Sequence, residues 1–206
     1  MGTYYLDPNA DISRTSNFTF FSSSTAWEAL NDGVRQPSNS GFGTGAMANN
    51  GGFGAESLVV GVGTFTIPMG EVVTSVKLYV NYHRAKDFES GSFQYNFNLG
   101  IYVGGTLKAE SGNSGTVTVT SDGQSGWHPV VTWTPGSPPS QGDVDDLRIK
   151  IESQLVACCV SFNHYRSAYL EVTTGPAPEG QVNSESVAGQ VVTAEDVTGQ
   201  VTSGEF

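Results

Sequence analysis

Val72-Val73-Thr74-Ser75-Val76-Lys77-Leu78-Tyr79-Val80-Asn81-Tyr82-His83 is the stretch that sets the fold class. Val76, Leu78, Val80 and Tyr82 fall on one side of an extended chain, and Lys77, Tyr79 and Asn81 on the other. A period of two marks a strand with one face in the core and one in water. Phe93-Gln94-Tyr95-Asn96-Phe97-Asn98-Leu99 alternates in the same way and runs into Ile101-Tyr102-Val103, where Gly104-Gly105 turns the chain. Further strands are expected at 58–67, 116–120, 127–134, 147–152, 155–162 and 165–173. Near the start, Asp7-Pro8-Asn9-Ala10-Asp11 reads as a turn between two short strands. Only 142–146, behind Pro138-Pro139, has the look of a helical turn. About eight to ten strands joined by Gly- and Pro-rich turns imply an all-β fold, a jelly roll or β-sandwich.

The composition narrows the function. The chain has 206 residues, of which 37% are hydrophobic and only 14% charged, with a net charge of −11. Such length suits one domain with appendages. A strongly acidic chain is poorly suited to neutralising nucleic-acid phosphates or to docking on an anionic membrane, so neither partner is expected. No apolar run is long enough to span a bilayer, and the first residues lack the pattern of a signal peptide. The adjacent Cys158 and Cys159 would point to opposite faces of a strand, which favours two reduced thiols over a bridge between them.

The pattern changes at Gly175-Pro176-Ala177-Pro178. We read residues 1–174 as the sandwich domain and 175–206 as an extended acidic arm. The arm repeats Gly-Gln-Val at 180–182, 189–191 and 199–201, with Glu185, Glu195 and Glu205 following in turn. It has no Lys or Arg and no aromatic residue before Phe206. So few large apolar groups cannot offset the entropy of ordering the segment alone. Val182, Val187, Val191, Val197, Val201 and Phe206 are therefore the expected contacts to a neighbouring subunit.

Catalytic signatures are sparse. His83, His128 and His164 sit at strand ends or turns, and no nucleophile elbow is present, so no catalytic residues and no enzymatic activity are expected. Asp7-x-Asn9-x-Asp11 opens like a calcium loop, but Ile12 stands where its glycine belongs and Phe18 where its closing glutamate belongs. Neither a metal nor any other cofactor is expected. Trp127 and Trp133, six apart in one strand-like run, would share a face and could form a stacking platform for a sugar ring; the alternative is that both serve the core.

Several segments resemble a jelly-roll domain of structural proteins of tailed bacteriophages. They are Leu6-x-Pro8-x-Ala10-Asp11-x-Ser13, Trp27-Glu28-Ala29-Leu30-Asn31-Asp32, Val73 to Val80, Leu99 to Leu107, and Trp133-Thr134-Pro135 with Val144-Asp145-Asp146-Leu147-Arg148-Ile149. The resemblance spans residues 4–173. It implies a non-enzymatic virion component, foremost a capsid decoration or cement protein whose arm binds neighbouring subunits. A tail, collar or fibre subunit is the second reading and a carbohydrate-binding module the third. Its implied partners are the major capsid protein or other virion proteins, and copies of itself in a homo-oligomer, a trimer being one form. Its implied location is the virion, on the capsid surface before the tail.

Overall fold

The computed structural model describes residues 1–14, 18–20, 25–31, 47–49, 56–86, 93–112, 117–119, 125–127, 130–157 and 161–178. Within them lie thirteen strands and two short helices, arranged as an all-β sandwich. Every strand pairing is antiparallel.

The first sheet is built on two long strands, β6 (Glu71–Lys86) and β13 (Ser161–Pro176), paired from Glu71 opposite Pro176 to Lys86 opposite Ser161. On the far side of β13 lie β1 (Gly2–Leu6) and β4 (Met47–Asn49), the latter followed by β3 (Phe18–Phe20). On the far side of β6 lie β10 (Ser125–Trp127) and β11 (Val131–Trp133). The second sheet runs β2 (Pro8–Arg14), β5 (Glu56–Val62), β12 (Leu147–Ala157), β7 (Phe93–Val103) and β8 (Thr106–Glu110). Its sixth strand, β9 (Val117–Val119), pairs with β7.

Alternation decides which residues meet between the sheets. Val76, Leu78 and Val80 of β6 and Leu170 and Val172 of β13 face inward and are fully buried. They meet Leu58 and Val60 of β5, Leu99 and Ile101 of β7, and Ile149 and Ile151 of β12. These branched and aliphatic side chains form one continuous core of the kind that two inner sheet faces create.

The structure departs from the sequence-based elements in five places. The turn at 7–11 shrinks to Asp7, across which the chain leaves β1 in the first sheet and enters β2 in the second. The Asp7 carbonyl accepts from Gly63 N at 2.8 Å, which ties this crossing down. The expected strand 155–162 divides between β12 and β13, with residues 158–160 outside the described set. A helix absent from the sequence reading, α1 (Ala26–Leu30), packs Ala26, Ala29 and Leu30 into the core. The turn expected at 142–146 is α2 (Gln141–Asp145), closed by a capping box between Ser140 and Asp143. Fifth, the expected strand 127–134 is two separate strands, β10 and β11. Cys158, Cys159 and residues 179–206 lie outside the described residues, as do the contacts expected of Val182, Val187, Val191, Val197, Val201 and Phe206.

Candidate functional site

The outer faces of the two sheets differ in chemistry. The second sheet turns Lys150, Glu152, Asn98 and Tyr102 to solvent. Lys150 Nζ lies 2.5 Å from Glu152 Oε1, and Asn98 Nδ2 donates to Glu110 Oε2 at 2.9 Å. Hydrogen bonding to Glu152 raises the Lys150 ammonium above its usual value. The Tyr102 ring lies over Gly100, its Cε2 2.8 Å from where a Cβ would stand. This is the ordinary wet face of an antiparallel sheet.

The first sheet puts aromatic rings in the equivalent place. Tyr79 of β6 and Tyr169 of β13 are directly paired, outside Leu78 and Leu170, and stack with centroids 4.8 Å apart at 13°. Trp127 meets both edge-on, at 6.4 Å and 86° to Tyr79 and at 5.7 Å and 79° to Tyr169. Tyr5 of β1 completes the strip, edge-on to Tyr169 at 5.9 Å. Tyr169 is only 2% exposed although it points away from the core, whereas Tyr5 is 53% exposed. Stacked and edge-to-face pairs at these distances are the favoured aromatic geometries.

Polar groups border the rings. Lys77 Nζ lies 3.1 Å from Glu171 Oε1, one pleat along from the Tyr79–Tyr169 pair. The hydrogen bond from Lys77 to Glu171, and then the carboxylate's charge, raise the ammonium above its ordinary value. Burial, followed by the negative charge of Glu171, pushes the Tyr79 phenol up. In the other direction along β6, Asn81 stands between Trp127 of β10 and Ser167 of β13 in the pairing register. Asn81 is 1% exposed, and its Oδ1 has no hydrogen-bond partner among the described residues.

The register corrects the shared tryptophan platform. Trp127 pairs with Asn81, on the outer face, whereas Trp133 pairs with Val76, on the core face. Trp133 packs against the core between the sheet edges, with Lys108 Nζ of β8 5.7 Å from its ring centroid. Six residues would preserve the face in a regular strand, but β10 and β11 are separate strands and the phase is lost between them. Trp127 therefore belongs to the aromatic strip and Trp133 to the core. The strip's other members come from distant parts of the chain. Tyr79 is legible as outward from its alternation with Lys77 and Asn81; its pairing with Tyr169 and the approach of Tyr5 are not.

The calcium-like motif has a different role. Asp11 accepts from Ala26 N at 3.1 Å and from Trp27 N at 2.9 Å, so both carboxylate oxygens are held at the start of α1. Among the described residues no group of three or more His, Cys, Asp or Glu side chains could hold a metal ion. No helix there is long and apolar enough to cross a membrane.

Comparison with known proteins finds no matching family model and no matching curated protein. Among solved structures, the chain is similar to the Stig cyclase Fisc from Fischerella sp. TAU, in complex with (3Z)-3-(1-methyl-2-pyrrolidinylidene)-3H-indole. The two share 16% identity at a TM-score of 0.43, with 86% of each chain covered. It is also similar to the apo form of a cyclase from Fischerella sp., at 16% identity and a TM-score of 0.42, covering 86% of this chain and 84% of that one. Both are cyclases and neither is a phage protein. With no family model or curated protein matching and cyclases, not phage proteins, among the solved structures, the expectation of a non-enzymatic virion structural protein, with its decoration, tail and sugar-module forms, is withdrawn. The expectation that the chain is not an enzyme is withdrawn with it. The physical reason is that short alternating strands recur wherever a sheet has one wet face, so motifs of that length do not carry a function.

Proposed function

We propose that the outer face of the first sheet is a recognition surface for a small ligand bearing a flat aromatic ring. The observation that carries this reading is the strip formed by Tyr5, Tyr79, Tyr169 and Trp127. Sheet faces that only meet water carry polar side chains, as the second sheet does. Tyr5, Tyr79 and Trp127, of β1, β6 and β10, gather around the buried Tyr169 of β13 and provide a surface for stacked and edge-to-face contacts instead. The Lys77–Glu171 pair at the rim supplies polar groups that orient a ligand without covering the rings.

The two tryptophans on opposite sides of one sheet make the test self-controlled. In protein labelled with nitrogen-15 at the indoles, titration with 2-naphthol should move the Trp127 N–H signal and leave that of Trp133 in place. Assignment follows from Trp127→Phe and Trp133→Phe variants. Tyr79→Ala should weaken the titration. An unmoved Trp127 signal at millimolar ligand, or equal movement of both signals, would sink the proposal.

A further inference from the structure

A buried carboxamide oxygen without a hydrogen-bond partner is unusual enough to need an explanation. Water is the alternative to a protein partner for any polar side chain, and removing both costs the full desolvation of the group. Asn81 is 1% exposed, and its Oδ1 finds no acceptor–donor match among the described residues. It shares the outer face with the aromatic strip. Tyr79 is the next outward residue along β6, Trp127 lies across the pairing towards the sheet edge, and Ser167 lies across towards its centre. Ser167 is itself fully buried.

An ordinary core does not place an amide there. The inward positions of the same strands are Leu78, Val80, Ala168 and Leu170, all apolar and fully buried. An apolar residue at position 81 would satisfy packing without leaving a polar atom unmet. The amide oxygen is thus an unmet acceptor at one end of the aromatic strip, closed to solvent in the free chain, so the edge of a ligand must displace what covers it to reach it.

Resting on the ring-recognition reading, we infer that the Asn81 carboxamide is the specificity contact of that site, and that the ligand ring carries an O–H or N–H donor at its edge. The ring stacks beside Trp127 and Tyr79, and its edge donor meets Asn81 Oδ1. Sites built to hydrogen-bond a substrate reject analogues that lack the group, because the buried partner is then left unpaired.

The test compares two probes with the same ring system, 2-naphthol and 2-methoxynaphthalene, of which only the first has a donor. The wild-type chain should bind 2-naphthol roughly five- to tenfold more tightly. Asn81→Leu should abolish that preference while leaving the affinity for 2-methoxynaphthalene unchanged. A thermal melt of Asn81→Leu without ligand separates a binding role from a structural one. Exchanging a buried amide whose oxygen is unpaired for an apolar side chain of similar size should leave Tm unchanged or raise it. Equal binding of the two probes by the wild type would overturn this inference while leaving the ring-binding surface standing. Failure of both probes to bind would instead remove the surface itself. A marked fall in Tm for Asn81→Leu would show that the amide belongs to the folding framework, and would also overturn the inference.

Discussion

Tyr79 and Tyr169 stack at 4.8 Å and 13° on the side of the first sheet that faces away from the core. Because they are directly paired across β6 and β13, their contact also joins the two longest strands of the sandwich. A double-mutant cycle with Tyr79→Ala and Tyr169→Ala should return a coupling of about 0.5–1.5 kcal/mol in denaturant unfolding. Tyr169→Ala alone should cost about 3 kcal/mol, since that ring is buried, and Tyr79→Ala less. Strictly additive losses would show that the stacking is incidental.

Alkaline titration reports on the same pair. The Tyr79 phenol is raised above its ordinary value of 10.0, first by burial and then by Glu171. A folded-state pKa above the unfolded one means that the folded chain holds this proton more tightly. The associated stability is complete below the unfolded pKa and is lost as pH rises through the folded value. Absorbance at the phenolate band should include a late-ionising component from Tyr79. That component should be missing in Tyr79→Phe, and in Glu171→Gln it should move only part of the way back, because burial remains. Full return in Glu171→Gln would make charge, not burial, the cause.

The two tryptophans should separate cleanly in stability measurements. Trp133→Ala removes a ring packed against the core and should cost about 3 kcal/mol. Trp127→Ala should cost about 1 kcal/mol, mainly from its edge contacts with Tyr79 and Tyr169, and should abolish 2-naphthol binding. The reverse order of losses would mean that the outer strip, not Trp133, is the structural cluster.

Asp11 offers a check on the metal question. Asp11→Ala should lower stability by about 1–2 kcal/mol, because two N–H groups at the start of α1 lose their acceptor. Calcium at millimolar concentration should leave the Tm of the unmodified chain unchanged. A calcium-dependent rise that vanishes in Asp11→Ala would restore the ion-binding reading.

The architecture was legible because its signal is local. Val76, Leu78 and Val80 announce their face through alternation alone, and Gly104, with φ of 58°, marks its turn through a conformation that side chains resist. What could not be read is how separate strands are phased against one another. Trp127 and Trp133 look like one strand in sequence, and only pairing with Asn81 and Val76 shows that they face opposite ways. The aromatic strip was hidden for the same reason: Tyr5 and Tyr169 are 164 residues apart and adjacent only through the pairing of β1 with β13. The function implied by resemblance failed at another level, since strand motifs describe a sheet and not what the sheet does. Helix α1 was missed because its start is secured by a distant carboxylate, that of Asp11, as well as by its own cap at Thr25.

The position of β13 also governs when the molecule can be completed on the ribosome. It is the last described strand to be synthesised, yet it lies between β6 on one side and β1 and β4 on the other. Until residues 161–176 emerge, β1 has no strand to pair with, and β6 lacks its longest neighbour. The second sheet can assemble earlier, because β12 is the latest strand in it. At roughly 5–20 residues per second, the nascent chain spends several seconds with the first sheet open along its middle. During that interval Val76, Leu78 and Val80 must be shielded by the half-built partner sheet or by a chaperone, so slowed translation just before β13 should increase aggregation more than slowing elsewhere.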